Sequence, residues 1–92
     1  MSSIPELLER VTDRQSFLAF DRALIADRED EVASEQAQPS SPYGPGANGW
    51  ENGTIEQYME AALAWAKDSG QLPEEPSWRA FATFLYAGKI YE

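Results

Sequence analysis

Apolar side chains recur at helical spacing in several stretches of this chain, and nowhere alternate with period two over a useful length. A first short helix is expected near Pro5–Arg10. Next, Thr12 with Gln15 fits a capping box, in which each side chain satisfies a free backbone N–H at the other's position. Phe17 and Leu24, and Leu18, Ile25 and Val32, recur at sevens with Phe20 between them, which places them along one face of a longer helix. Its end is soft, since Glu29 to Glu31 and Gln36 to Gln38 give no sharp stop before Pro39. Thr54 with Gln57 opens a third helix, whose stripe is Ile55, Met59, Ala62, Leu63 and Ala66, widened by Tyr58 and Trp65 and ended by Gly70. Ser77 is placed to cap a fourth, in which Trp78, Phe81, Ala82, Leu85 and Tyr86 follow the i, i+3, i+4, i+7, i+8 rule before Gly88. Trp78 heads that unbroken stripe and is expected to anchor the core. The predicted fold is all-α: one domain over 1–92, a small bundle of three main helices plus a short N-terminal one.

A loop over 39–53 interrupts the pattern. Pro39, Pro42, Pro45, Gly44, Gly46, Gly49 and Gly53 exclude regular structure there. Loops this long are uncommon in small domains unless they are functional or disordered. Pro39–Gly49 has few side chains able to hold it and is expected to be mobile, whereas Trp50, Glu51 and Asn52 are expected to order against the third and fourth helices. A Trp in such a loop either folds back as a lid on the core or stands out as a binding anchor. Asn52 suits a bond to loop backbone, and Glu51 suits the positive end of the third helix. Gly44-Pro45-Gly46-Ala47-Asn48-Gly49 spells the dinucleotide-binding glycine pattern, but no strand precedes it and a proline removes one N–H, so it reads as a turn-rich loop. Asn52-Gly53-Thr54 is a glycosylation sequon by letter, and Thr54 is better used as a cap.

Charge narrows the function classes. Sixteen acidic residues stand against seven basic ones, for a net charge of −9. A chain so acidic repels nucleic acid and anionic membranes, and no apolar run approaches the ~20 residues that span a bilayer. Met1-Ser2-Ser3-Ile4-Pro5-Glu6 lacks the basic and apolar segments of a signal peptide, so the cytoplasm is the expected location. With no His and no Cys, the usual zinc ligands, general bases and thiol nucleophiles are missing. Neither a metal nor another cofactor is expected. Asp27, Glu29, Asp30 and Glu31 lack the glycine and closing glutamate of an EF-hand loop and read as a solvated helix end. Asp21 differs from them. It sits among Phe17, Leu18, Leu24 and Ile25, where an apolar side chain is expected, so it must reach solvent, pair with an arginine or meet a partner.

Phe17-Leu18-Ala19-Phe20, Gly49-Trp50-Glu51-Asn52 running into Thr54-Ile55-Glu56-Gln57-Tyr58-Met59-Glu60-Ala61, Pro76-Ser77-Trp78 with Phe81-Ala82, and Tyr91-Glu92 together resemble a family of small uncharacterised bacterial proteins, a domain of unknown function. The resemblance covers about 14–92. The Trp-Glu-Asn segment and the terminal Tyr-Glu are its most specific parts, while Asp21 and the Pro/Gly insertion at 39–49 depart from it. It implies a helical fold and leaves activity open. The small, acidic, cysteine-free character is also similar in type to antitoxin-like immunity proteins. The expectation is a protein-interaction module, not an enzyme: an inhibitor or immunity-type protein meeting a basic partner, with Trp50, Glu51, Asn52 and Asp21 as candidate interaction residues. A small-ligand-binding or carboxylate-based catalytic domain is one alternative, and a structural homo-oligomer is another.

Overall fold

Short-range hydrogen bonds set where each helix starts. In a computed structural model describing residues 3–39 and 46–92, the chain forms α1 (Ile4–Glu9), α2 (Arg14–Ala37), α3 (Ile55–Ser69) and α4 (Trp78–Ile90). Ser3 caps α1 by accepting from the Glu6 N–H. The box opening α2 lies one residue later than the spacing suggested. The Asp13 carboxylate accepts from the Ser16 N–H at 2.8 Å, and Ser16 Oγ accepts from the Asp13 N–H at 3.0 Å. The Ser16 N–H, and after it the Ser16 hydroxyl, donate to the Asp13 carboxylate and hold its carboxyl below its ordinary value. Thr54 accepts from the Gln57 N–H at 3.1 Å, but Gln57 Oε1 takes the N–H of Gly53 rather than that of the cap itself. Ser77 accepts from the Ala80 N–H, and Gly70, at φ +64°, closes α3 in the left-handed conformation. Gly88 does not end α4. It lies inside the helix, where an added Cβ would stand 2.8 Å from the Tyr58 ring, so it is the close approach of Tyr58 that requires a glycine.

The described residues are all-α, without a strand, and no helix among them is long and apolar enough to cross a membrane. α4 is the central element. It packs on α3 along one side and on α2 and α1 along the other, while the backbones of α2 and α3 do not meet. The molecule measures 41 × 30 × 18 Å, and a depth of 18 Å is less than two ~10 Å helix diameters. A slab that thin has one small interior, formed by Val11, Phe20, Leu24, Trp50 and Ala82 with Leu7, Leu8, Phe17, Tyr58 and Leu85 around them.

Thinness also corrects three expectations about which faces are buried. On α2 the inward line is Phe17, Phe20, Leu24, Asp27 and Glu31, at alternating spacings of three and four, while Ile25 and Val32 are exposed. On α3, Ala61 and Ala62 are buried, and Ile55, Met59 and Leu63 face water at 72%, 63% and 55% exposure. Of the helices, α3 packs only against α4, where Tyr58 lies against Gly88 and bonds the Leu85 carbonyl, while the large aliphatic side chains of its stripe stay outside. Trp78 is not a core anchor. It lies in the first turn of α4, 41% exposed, with its ring 5.2 Å from that of Phe17.

Phe20→Ala should therefore cost about 3–5 kcal/mol, the usual penalty for emptying a fully buried aromatic site. Trp78→Ala should cost only ~1–2 kcal/mol, because much of its surface is already in water. Urea denaturation of the two variants ranks them, and an equal or reversed order would contradict this assignment of the core.

Candidate functional site

Continuing the inward line of α2 past Leu24 puts carboxylates where apolar side chains would stand. Glu31 is 2% exposed. A buried carboxylate is tolerable only when its oxygens are met by donors. Here Oε1 accepts the backbone N–H groups of Asn48 and Trp50, each at 3.1 Å, and Oε2 accepts Arg28 Nη1 at 2.6 Å. One turn on, Glu35 accepts the N–H of Ala47 at 2.8 Å. Loop N–H groups converging on an anion are also how glycine-rich loops hold phosphate, although here the two that meet Glu31 are separated by Gly49, whose N–H turns to the Gly46 carbonyl. In this chain the anion is the protein's own carboxylate. Gly46 must be glycine for that reason, since a Cβ there would collide with the Glu31 carboxyl group. Of the acidic stretch, Asp27, Asp30 and Glu31 are thus the receptor for the loop, and Glu29 is the one that remains a solvated side chain.

The loop delivers Trp50 into the core. Its Nε1–H donates to Asp27 Oδ2 at 2.9 Å, and the same oxygen accepts Lys89 Nζ at 2.6 Å. The indole stacks on Tyr58 with centroids 6.0 Å apart, and Arg28 and Lys89 lie 5.5 and 5.6 Å from its centroid, within cation–π range. Trp50 is therefore a lid and not a protruding anchor. Asn52 donates to the carbonyls of Gly88 and Tyr91 at 3.0 and 2.8 Å, and the Glu51 N–H donates to the Lys89 carbonyl. The segment is ordered against α3 and α4 as expected, and against α2 as well. Asn48 adds bonds from Nδ2 to the Asp27 carbonyl and to Asp30. Within the stretch expected to be mobile, 46–49 is thus tied to α2, and 40–45 lies outside the described residues.

Asp21 takes a different position. It lines an open groove of about 440 Å³ between α2 and the start of α3, with Leu24, Ile25, Ile55, Tyr58 and Leu85 as its apolar wall and floor. Trp50 and Asn52 border the same groove, so three of the four candidate residues come together there. Glu51 is set apart and faces Glu92. Tyr58 donates to the Leu85 carbonyl at 2.6 Å, and burial, with the charge of Asp21 second, pushes its phenol up to about 12. Asp21 itself makes no hydrogen bond or ion pair with any described residue. Among the described residues, no group of carboxylates is disposed to hold a metal ion. The sequence places Asp27 and Glu31 on a solvated helix end and offers Arg28 only as a partner for Asp21, whereas the structure brings all three together with Lys89 at the loop. The signal was present for the two acids, since the spacing Phe17, Phe20, Leu24 extends directly to 27 and 31. For Lys89 there was none.

The chain belongs to a family of unknown function, DUF7660, whose model matches residues 13–92. The match begins at the cap of α2, so it contains Asp21, the loop and the whole Trp50 arrangement, and leaves out α1. Neither the comparison with curated proteins nor that with solved structures gave a match.

Two outcomes follow from this geometry. Glu31→Ala should cost about 3–5 kcal/mol by leaving Arg28 and two N–H groups without their acceptor. Amide exchange at Asn48 and Trp50 should accelerate before that at Phe20, and unchanged exchange at those two amides would show that the carboxylate does not hold the loop. Glu51 supplies a pH test. Desolvation, then the hydrogen bond and charge of Glu92, raise its carboxyl above the ordinary value. The folded state consequently binds that proton more tightly, and the stability this contributes is present below the unfolded value of about 4.3 and lost as pH rises through the raised one. Glu51→Gln should match the parent protein at acid pH and be the more stable of the two at neutral pH, as read from melting curves.

Proposed function

We propose that this member of a family of unknown function is a protein-interaction module, an inhibitor or immunity-type protein whose acidic surface meets a basic partner. The observation that carries this reading is the row Ile55, Met59 and Leu63 on α3, three large aliphatic side chains more than half exposed in a chain of net charge −9. Single exposed apolar residues are ordinary, but a row at successive helical turns beside an apolar groove is the kind of surface that marks an interaction site. The carboxylates argue in the same direction. Asp27, Glu31 and Glu35 are bonded to the loop and to Lys89 and Arg28, which leaves Asp21 and Glu29 as the acids that face the groove and add their charge to this surface.

Site-specific photo-cross-linking in extracts of the source cells tests the proposal. A photoreactive residue at Met59 should trap one basic protein, and the same group at Glu9 on α1 should not. Trapping should fall steeply with added salt, because exposed charges are screened within ~8 Å at physiological ionic strength. Equal labelling from both positions, or labelling indifferent to salt, would refute it, and trapping of a second copy of the chain would replace it with a homo-oligomeric role.

A further inference from the structure

The groove between α2 and α3 holds a half-buried acid, Asp21, that no described residue answers. Arg28, the cation lining it, is committed to Glu31 and to the Gly53 carbonyl at 3.2 Å. Asp21 is left without a partner among the described residues, and Glu29 adds a second acid to the same wall. A carboxylate partly withdrawn from water beside apolar side chains favours a cation that arrives together with apolar surface. Resting on the interaction reading above, we infer that this groove docks a basic amphipathic helix of a partner protein, its apolar face on Leu24, Ile25, Ile55 and Leu85 and a lysine or arginine on Asp21.

The dimensions fit that occupant better than a compact ligand. Along the α2 wall, Asp21 to Glu29 spans eight residues, about 12 Å at 1.5 Å per residue. The exposed row on α3 continues from Ile55 to Leu63 over the same ~12 Å, beyond the residues that line the groove. Two turns of a docked helix, with anchors at i, i+4 and i+7, match that length. A second copy of this chain is a poorer fit, since it brings a net charge of −9 to a wall that is already acidic.

The probe is an 18-residue synthetic helix with leucine on one face and lysine on its flanks, compared with the same peptide carrying glutamate in place of lysine. Titrated into the full chain and followed by amide chemical shifts, the lysine peptide should perturb Ile25, Ile55, Tyr58 and Leu85, and the glutamate peptide should not bind. Asp21→Asn should weaken binding about tenfold, while Glu75→Gln, an exposed acid outside the groove, should change it less than ~2-fold. Equal losses from the two substitutions would reduce the effect to general acidity and overturn the inference. So would perturbation centred on the separate cavity at Leu72, Pro73 and Phe84, absence of binding, or self-association that covers Ile25 and Ile55. If Met59 cross-links a basic partner and the peptide fails these criteria, the interaction reading stands and this assignment of the groove falls.

Discussion

A carboxylate withdrawn from water must be surrounded by donors, and in this protein that requirement at Glu31 governs how the loop meets the helices. Two backbone N–H groups and one guanidinium satisfy it. Meeting those demands fixes Gly46 against the carboxyl group, pulls Asn48 onto α2 and leaves Trp50 facing inward over Asp27. Arg28 is held at the same time and passes its second nitrogen to Gly53, just before the cap of α3. The start of α3 and the end of α4 are thereby referred to one point on α2, although the backbones of α2 and α3 never meet. The ion pair of Lys89 with Asp27 and the bonds of Asn52 to Gly88 and Tyr91 complete the connection.

Such a connection differs from a hydrophobic core in what it controls. Burial of Phe20 and Leu24 favours compactness without choosing a unique geometry, whereas hydrogen bonds to a carboxylate fix direction and distance. The loop can therefore act as the spacer that holds α3 away from α2. The open groove is a consequence of that spacing. Had α2 and α3 closed on each other over α4, Ile25 and Ile55 would be covered and Asp21 would be buried without a counter-charge. The acid at 21 and the groove are compatible with each other, and a fully closed bundle is compatible with neither.

The chain itself determined the elements, because helix boundaries depend on groups within four residues of one another. Ser77 accepting from Ala80, Thr54 accepting from Gln57 and Gly70 in the left-handed conformation are local events, legible in the sequence. The cap falls at Asp13 instead of Thr12, two adjacent residues of capping type whose N–H groups both donate to the Ser16 hydroxyl, while the Asp13 carboxylate takes the Ser16 N–H. The all-α class, the four helices and the docking of Trp50 to Asn52 followed from local pattern and composition. Which face of each helix is buried did not. Periodicity marks an apolar stripe, but only the neighbouring elements decide whether it is covered, and the 18 Å depth of the molecule leaves α3 with a single helical neighbour. For the same reason Trp78 sits at the rim, while Glu31 and Lys89 are buried. Apart from Arg28, three residues before Glu31, their partners lie 17 to 62 residues away along the chain, at Asn48, Trp50 and Asp27. A charge is priced by its three-dimensional surroundings, and those exist only once the chain has folded.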